Sequence, residues 1–185
     1  MRVLSNAYRR WARVSPEWVF ALLCVLLCAA AAMLSVTGTS SSRSGAALVP
    51  AGALTGVARV VDGDTLSVNR TRIRLDGIDA PESQQTCQRD GARWSCGAAA
   101  TAELASLVSG RLINCTPSGR DQYGRTLATC FADGTNVNGA MVRRGYAWAY
   151  TRYSWRYLPE QTMARFDGVG IWGGEAEPAW QYRRR

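Results

Sequence analysis

From residue 54 onward, apolar and polar residues alternate in short runs that are separated by turn residues. An alternation with a period of two is typical of strands that bury one face. Asp62-Gly63-Asp64 and Asn69-Arg70 interrupt the first three runs, and both are residue combinations that favour tight turns. The pattern predicts five strands, over residues 55–61, 65–68, 71–78, 111–115 and 126–131.

Helical spacing of apolar residues marks the segments between and after these strands. Residues 98–109 have this spacing and end at Gly110, which is a common helix stop. Shorter helices are predicted over residues 138–144 and 160–167, although Gly139 is unusual inside a helix because it costs about 1 kcal/mol relative to alanine. Three strands, a helix, two strands and small helices are the order of an OB-fold. We therefore expect an α+β domain, a five-stranded β-barrel with about three helices.

The N-terminal segment has a different pattern. Residues 18–36 form an almost unbroken apolar run without charge, long enough to span a bilayer as a helix. The arginine-rich residues 1–17 precede it and the Ser/Thr/Gly-rich residues 37–53 follow it, which predicts a cytoplasmic N-region and an external flexible linker. A cleaved signal peptide gives the same topology, although the long flank favours an uncleaved anchor. The domain over residues 54–173 is thus expected outside the cytoplasm, anchored or secreted, with a basic tail over 174–185.

Four cysteines lie beyond the linker. Cys87 and Cys96 belong to one polar loop, whereas Cys115 and Cys130 lie on two predicted strands that a turn joins. Outside the cytoplasm, this arrangement predicts the disulfides Cys87–Cys96 and Cys115–Cys130. A zinc site is an alternative that the lack of a Cys-x-x-Cys unit disfavours. Buried free thiols are the alternative for the second pair.

Composition narrows the possible chemistry. The chain has no histidine, which excludes serine–histidine triads, histidine-ligated zinc and histidine-based phosphoryl transfer. Its formal net charge of +8 favours an anionic partner such as nucleic acid or anionic lipid. Any catalysis must therefore use carboxylates, arginines, tyrosines, cysteines or a metal ion bound by oxygen atoms.

Three polar segments contain the groups that such chemistry needs. They are Asp62-Gly63-Asp64-Thr65, Arg74-Leu75-Asp76-Gly77-Ile78-Asp79-Ala80-Pro81-Glu82 and Arg120-Asp121-Gln122-Tyr123-Gly124-Arg125. In the second segment, Gly77 permits a bend that would bring Arg74 and Asp79 to the same side of the chain. Each segment also has a purely structural interpretation: the first as a turn, the second as a surface salt-bridge cluster and the third as a polar hairpin loop.

Together the three segments meet the requirements of phosphodiester hydrolysis. Asp64 and Asp79 offer carboxylate oxygens to a hard divalent cation. Glu82 is the free candidate for a general base, or for a carboxylate that positions the attacking water. Arg74 and Arg125 can stabilise the charge that develops on the phosphoryl oxygens.

The order of these segments resembles the staphylococcal nuclease family, and the resemblance extends over roughly residues 54–172. The C-terminal part of that similarity is carried by Met141-Val142-Arg143-Arg144-Gly145-Tyr146-Ala147 and Gly170-Ile171-Trp172. It implies a calcium site made of Asp64, Asp79 and the main-chain carbonyl of Ala80, where the family often has threonine. It also implies that Glu82 is the proposed base and that Arg74 and Arg125 contact the phosphate.

The resemblance further implies that Tyr123 and Tyr153 line the substrate pocket. Gln122 and Thr151 depart from the family, which has a lysine and a tyrosine there, so substrate affinity is the property they put in question. In the C-terminal tail, Trp180 and the three terminal arginines would strengthen binding of nucleic acid, or the tail would be a disordered end.

By this resemblance, the protein hydrolyses DNA and RNA in a calcium-dependent reaction with little sequence preference, favours single strands and leaves 3′-phosphate ends. We expect a monomer. Two other functions fit the sequence. One is a non-catalytic, membrane-anchored OB-fold module that binds nucleic acid, and the other is a structural calcium-binding envelope protein.

Overall fold

The structure is a computed structural model, and it describes residues 52–185. The predicted N-region 1–17, the anchor or signal segment 18–36 and most of the linker 37–53 lie outside the described residues. Within residues 52–185, every helix is too short or too polar to cross a membrane.

Five strands, β1, β2, β3, β7 and β8, form a closed β-barrel. The strands of residues 52–185 are β1 Leu54–Val60, β2 Thr65–Val68, β3 Thr71–Leu75, β4 Ile78–Asp79, β5 Cys87–Arg89, β6 Ala92–Trp94, β7 Leu112–Arg120, β8 Thr126–Ala132, β9 Thr135–Asn136 and β10 Trp148–Ala149. The barrel is defined by the pairing of its five strands. They pair in the order β3-β2-β1-β7-β8, with antiparallel neighbours, and a parallel pairing of β3 with β8 closes the ring. This confirms the expected five-stranded OB-type barrel. The short strand β9 extends the sheet beside β8, β4 pairs with β10, and β5 pairs with β6.

The predicted strand over residues 71–78 is divided in two. β3 ends at Leu75 because Gly77 takes a positive φ of 76° and turns the chain, so that β4 leaves the barrel and pairs with β10. Glycine adopts this conformation without the penalty that a Cβ atom imposes. The turn between β2 and β3 is tight, as predicted, with Asn69 and Arg70 both at positive φ.

Within residues 52–185, four α-helices pack around the barrel, one more than the sequence predicts for this domain. The helices are α1 Cys96–Val108, α2 Val137–Arg143, α3 Leu158–Phe166 and α4 Ala179–Tyr182, and a 3₁₀ turn spans Gly170–Gly173. The additional helix is α4, which lies in the segment predicted as a basic tail. Pro159 occupies the first turn of α3, where the missing backbone N–H of proline is tolerated. Gly139 lies where α2 meets α3, and a Cβ atom on it would lie 3.4 Å from the Tyr157 ring.

The main core lies inside the barrel and beneath α1, α2 and α3. Its largest buried side chains include Leu66, Ile73, Leu104, Ile113 and Met141. Fully burying one such aliphatic side chain contributes about 1.5–3 kcal/mol to stability. The closed barrel is therefore a rigid frame for the loops at its rim.

Both predicted disulfides are present. Cys115 and Cys130 are directly opposite on β7 and β8, with their Cα atoms 4.0 Å apart. Cys87 and Cys96 join β5 to the start of α1. The Cys87–Cys96 disulfide belongs to a smaller apolar cluster that also contains Trp148.

The C-terminal segment packs on this smaller cluster. The backbone of Glu175 pairs with that of Gln88, with both N–H···O distances at 2.9 Å. Gln85 donates a hydrogen bond of 2.6 Å from Nε2 to the carbonyl oxygen of Glu177. Trp180 contacts Trp148 edge to face, with ring centroids 6.0 Å apart. The tail is thus held against the loop that precedes α1.

Candidate active site

The three polar segments predicted to carry the chemistry meet in one cleft of about 1190 Å³. The turn before β2, the bend from β3 to β4 and the loop between β7 and β8 form most of its walls. α4 and the segment after β10 contribute the remaining wall. The barrel therefore brings together side chains that are about sixty residues apart in sequence.

Asp64 lies in a turn that is pressed between α1 and β4. Its backbone N–H donates to Asp62 Oδ1 at 3.1 Å, which stabilises the turn. At Gly63, a Cβ atom would lie 2.8 Å from the Cβ atoms of Ala80 and Ala100, so the close approach requires glycine. Asp64 is consequently only 5% exposed.

One guanidinium group bridges the two candidate metal-binding carboxylates. Arg74 Nη1 is 2.6 Å from Asp64 Oδ1, and Arg74 Nη2 is 2.5 Å from Asp79 Oδ1. The bend at Gly77 makes the second contact possible, because a regular strand would point Arg74 and Asp79 to opposite faces. The backbone N–H of Ala80 also donates to Asp64 Oδ2 at 3.2 Å. The structure therefore brings Asp64, Arg74, Asp79 and Ala80 together.

Burial dominates the electrostatics of this cluster. It raises the pKa of Asp64 to about 6, although the positive charge of Arg74 lowers it and nearby carboxylates raise it further. Burial opposes the charge of Arg74 as well, but Asp64 and Asp79 outweigh burial and raise its pKa. The cluster holds two buried carboxylates for each buried guanidinium, an arrangement that favours a further positive charge nearby.

The loop between β7 and β8 fixes the orientation of the Arg125 side chain. Gly124 has a φ of 78°, which lets the loop close so that Asp121 Oδ1 accepts the backbone N–H groups of Tyr123 and Arg125, each at 2.9 Å. Asp121 Oδ2 accepts from Arg125 Nε at 2.6 Å. Burial alone would raise the pKa of Asp121, but these hydrogen bonds outweigh it and lower the pKa. An ionised Asp121 thus fixes the guanidinium of Arg125.

A threonine links Arg125 to the carboxylate cluster. Arg125 Nη1 lies 3.5 Å from Thr65 Oγ1, and that hydroxyl donates to Asp64 Oδ1 at 3.1 Å. Thr65 is fully buried at the start of β2. The structure therefore places Arg125 beside Asp64, as convergence of the three segments required.

Glu82 lies at the rim of the same cleft. A Cβ atom on Gly97, in the first turn of α1, would lie 1.8 Å from the Glu82 carbonyl oxygen, so the helix and the Glu82 backbone are in direct contact. Gln85 closes the loop, accepting the Glu82 N–H at its Oε1 (3.1 Å) and donating its own N–H to the Glu82 carbonyl oxygen (2.7 Å). The Glu82 carboxylate is 40% exposed, which leaves it accessible to solvent and to a ligand.

Arg183 joins the cluster from the end of α4, and sequence reasoning did not single it out. Its Nη2 is 3.0 Å from Asp79 Oδ2, and its Nη1 is 2.5 Å from Glu82 Oε1. Burial opposes its charge, but the bonds to Asp79 and Glu82 outweigh burial and raise its pKa. The only signal in the sequence was a run of terminal arginines after Trp180, which suggests a general attraction for nucleic acid and not a particular contact.

Aromatic side chains flank the charged centre on two sides. Tyr123 is 75% exposed on the β7–β8 loop, where the guanidinium of Arg125 lies 5.6 Å from its ring centroid. Tyr153 is 73% exposed, and its ring centroid is 5.0 Å from that of Tyr150. Tyr150 in turn stacks on Trp180 at 5.7 Å. Exposed aromatic faces beside arginines are typical of surfaces that bind single-stranded nucleic acid.

The departures Gln122 and Thr151 lie differently with respect to the cleft. Gln122 forms part of its wall on the β7–β8 loop, whereas Thr151 does not. Thr151 is exposed just after β10. Of the two, only Gln122 is placed to affect a ligand in the cleft directly.

The donors in the cluster suit an oxygen-bound divalent cation. Across residues 52–185, no three side chains of histidine, cysteine, aspartate or glutamate form a metal-binding group by themselves. Asp64 and Asp79 supply two carboxylates, and the peptide of Ala80 lies against Asp64. A hard cation such as calcium or magnesium prefers this combination of carboxylate and carbonyl oxygens, completed by water or substrate.

Comparison with known proteins agrees with the geometry. Residues 72–174 match the family described as Staphylococcal nuclease homologue. An "Uncharacterized endonuclease" of Escherichia coli O157:H7 is 43% identical over 137 residues, which cover 70% of this chain and 84% of that protein. The "Micrococcal nuclease" of Shigella flexneri is 36% identical over 149 residues, with coverages of 69% and 79%. The "Succinoglycan biosynthesis protein ExoI" of Rhizobium meliloti is 39% identical over 128 residues, or 67% of each chain. This chain therefore belongs to the staphylococcal nuclease family and is a nuclease.

Proposed function

We propose that this nuclease hydrolyses phosphodiester bonds of DNA and RNA in a calcium-dependent reaction with little sequence specificity, and that it does so outside the cytoplasm. The observation that carries the proposal is the convergence of Asp64, Arg74 and Arg125 in one cleft, with Asp79 bound to Arg74 beneath it. The family relationship supports the reaction class, and the all-oxygen donor set supports calcium.

Asp64, Asp79 and the carbonyl oxygen of Ala80 would hold the cation. When bound, the cation would supply Lewis-acid stabilisation of a phosphoryl oxygen and orient a water molecule. Glu82 lies close enough to Asp79 for Arg183 to contact both residues, and its exposed carboxylate can accept a proton from an attacking water. Arg125, held by Asp121, is directed into the cleft as a donor to a phosphoryl oxygen.

The bonds that change define the products. Attack of water on phosphorus breaks the bond to the 5′ oxygen, so one fragment ends in a 3′-phosphate and the other begins with a 5′-hydroxyl. The leaving oxygen takes up a proton from solvent, while the attacking water gives one to Glu82. The guanidinium groups stabilise the extra negative charge that the phosphoryl oxygens carry in the transition state.

The aromatic side chains support a preference for single strands. Tyr123 and Tyr153 both line the cleft and expose most of their surface. Unpaired bases can stack on such rings, and stacking is worth about 1–3 kcal/mol per base. Backbone contacts to phosphate carry no sequence information, so little sequence specificity follows.

The disulfides support the proposed location. Cys87–Cys96 and Cys115–Cys130 are both formed within the domain. Structural disulfides persist in oxidising compartments and are rare in the cytosol. The apolar run over residues 18–36 would provide either an anchor or a cleaved signal, and the domain would act as a monomer.

The test is hydrolysis of denatured DNA by the full-length chain, with calcium or with excess chelator. We expect cleavage that the chelator abolishes, and fragments that a polymerase extends only after their 3′-phosphate is removed. Arg125→Ala should lower the rate by about 10²–10³-fold, the typical cost of losing one transition-state donor. Arg143→Ala is the matched control, because Arg143 also pairs with an aspartate but does not line the cleft.

Two outcomes would contradict the proposal. Binding of denatured DNA without cleavage in any of several divalent cations would indicate a non-catalytic binding module. Cleavage that is indifferent to chelator would exclude the cation from the reaction. Salt-sensitive affinity does not discriminate, because a nuclease and a binding module both depend on phosphate contacts.

A further inference from the structure

The C-terminal segment delivers an arginine to the centre of the candidate active site. Trp180 packs on Trp148 and stacks on Tyr150, and Ala179 is fully buried, so α4 is firmly docked. From the end of this helix, the side chain of Arg183 spans the distance to Asp79, 104 residues earlier in the chain. The contact thus follows from how the tail packs and not from its sequence alone.

Arg183 uses the same oxygen atoms that a cation would need. Both of its terminal nitrogens lie 3.2 Å from Asp79 Oδ1, and Nη2 is 3.0 Å from Oδ2. Asp79 Oδ1 also accepts from Arg74, so Oδ2 is the Asp79 oxygen whose only hydrogen-bond donor among the described residues is Arg183. The same guanidinium binds Glu82, the candidate for activating water.

A guanidinium and a divalent cation cannot both occupy this position without strong repulsion, because like charges at contact distance repel. We propose that Arg183 competes with the divalent cation for Asp79 while it also holds Glu82, so that this arginine sets the cation concentration that the nuclease requires. The inference rests on the proposed function and adds a residue that determines its cation dependence.

Displacement of Arg183 does not require the tail to unfold. Its side chain is 40% exposed, whereas the residues that dock α4 are buried or stacked. Rotation about the side-chain bonds can move the guanidinium toward the open cleft while Trp180 stays in place. A phosphate in that cleft gives the displaced guanidinium a new anionic partner.

Calcium binding to the full-length chain, measured by calorimetry in detergent, tests the competition. Arg183→Ala should bind calcium about tenfold more tightly than the unmodified chain, a modest factor because a half-exposed charge is partly screened. Arg183→Lys keeps the charge and should shift the affinity less. Arg185→Ala is the matched control, since Arg185 belongs to the same tail but pairs with Glu177, and its affinity should not change.

A chain that ends at Tyr182 provides a second variant with the same expectation. The calcium concentration for half-maximal cleavage should fall in parallel with the dissociation constant in both variants. Equal or weaker calcium binding by Arg183→Ala, with cleavage by the unmodified chain intact, would overturn this inference alone. If the unmodified chain neither binds calcium nor cleaves denatured DNA, the proposed function fails, and the inference fails with it.

Discussion

Asp121 makes no contact with the candidate metal ligands, yet the structure predicts that it controls activity. Its Oδ2 accepts from Arg125 Nε, and its Oδ1 closes the loop through two backbone N–H groups. Asp121→Asn separates these tasks. The amide oxygen can still accept both backbone N–H groups, but the negative charge that holds the Arg125 guanidinium is lost.

The expected loss of activity follows from the strength of the hydrogen bond between Arg125 Nε and Asp121 Oδ2. A hydrogen bond to a charged group contributes about 1.5–3 kcal/mol, which corresponds to roughly a 10- to 100-fold effect if all of it serves to orient Arg125. Removing a transition-state donor entirely costs on the order of 10²–10³ in rate, and this is the upper limit. We therefore expect kcat/KM of Asp121→Asn to fall by about 10- to 100-fold, less than for Arg125→Ala.

The assay is steady-state hydrolysis of denatured DNA at saturating calcium and neutral pH. The double variant with Arg125→Ala provides the decisive comparison, because Asp121→Asn should add little once Arg125 is gone. Unchanged activity in Asp121→Asn would refute the reasoning, as would full additivity of the two substitutions. Thermal unfolding must show that the asparagine variant remains folded.

The pKa of Asp121 gives the same pair a pH dependence. Its carboxyl has a lowered pKa in the folded protein, so the pair stabilises the fold above the unfolded-state pKa, and this stabilisation is lost as the pH falls through the lower, folded-state pKa. Acid should therefore weaken the hold on Arg125, and Asp121→Asn should remove this part of the acid sensitivity.

Three further predictions follow from single contacts. Gly97→Ala should cost about 1–3 kcal/mol of stability and lower activity, because the new Cβ would lie 1.8 Å from the Glu82 carbonyl oxygen. In an unhindered helix the same change stabilises by up to ~1 kcal/mol, and such a gain here would contradict the contact. Replacing Cys115 and Cys130 together with alanine should cost at least about 3 kcal/mol in urea unfolding, given the 15-residue separation, and a smaller loss would show that the barrel alone holds the two strands. In calcium-free protein, carboxyl NMR should find the midpoint of the Asp64 titration near pH 6. Ionisation of Asp64 therefore lowers the folding stability as the pH rises from about 4 to 6. If saturating calcium does not lower this midpoint, Asp64 is not a calcium ligand.

Local sequence patterns predicted the barrel well, because each strand and each turn depends mainly on residues that are close together in the chain. Alternation marked all five barrel strands, although β7 continues to Arg120, five residues beyond the predicted end. The turn at Asn69-Arg70 and the positive φ of Gly124 both follow from residues that tolerate left-handed conformations. The disulfides were predictable because antiparallel strands place Cys115 opposite Cys130 and a short loop joins Cys87 to Cys96.

The sequence did not predict the elements that depend on partners far away in the chain. β4 and β10 have two residues each, too few for any periodicity, and exist because the bend after Leu75 directs Ile78 and Asp79 toward Trp148 and Ala149. The pair β5 and β6 lies in a polar loop without an alternating pattern. α4 has four residues, and packing on the tryptophan cluster stabilises it where helix propensity alone would not.

Charge balance explains why an arginine from the far end of the chain lies in this cleft. Asp79 is fully buried and Asp64 nearly so, but Arg74 offers only one positive charge to the two carboxylates. An uncompensated buried carboxylate is costly, so a second cation stabilises the cluster, and Arg183 provides it. With the Glu82 carboxylate counted, a divalent cation in its place would balance Arg74 and the three carboxylates, so the displaced Arg183 supplies the positive charge that a single phosphodiester neutralises. By this argument the cluster binds cation and substrate together more favourably than either alone.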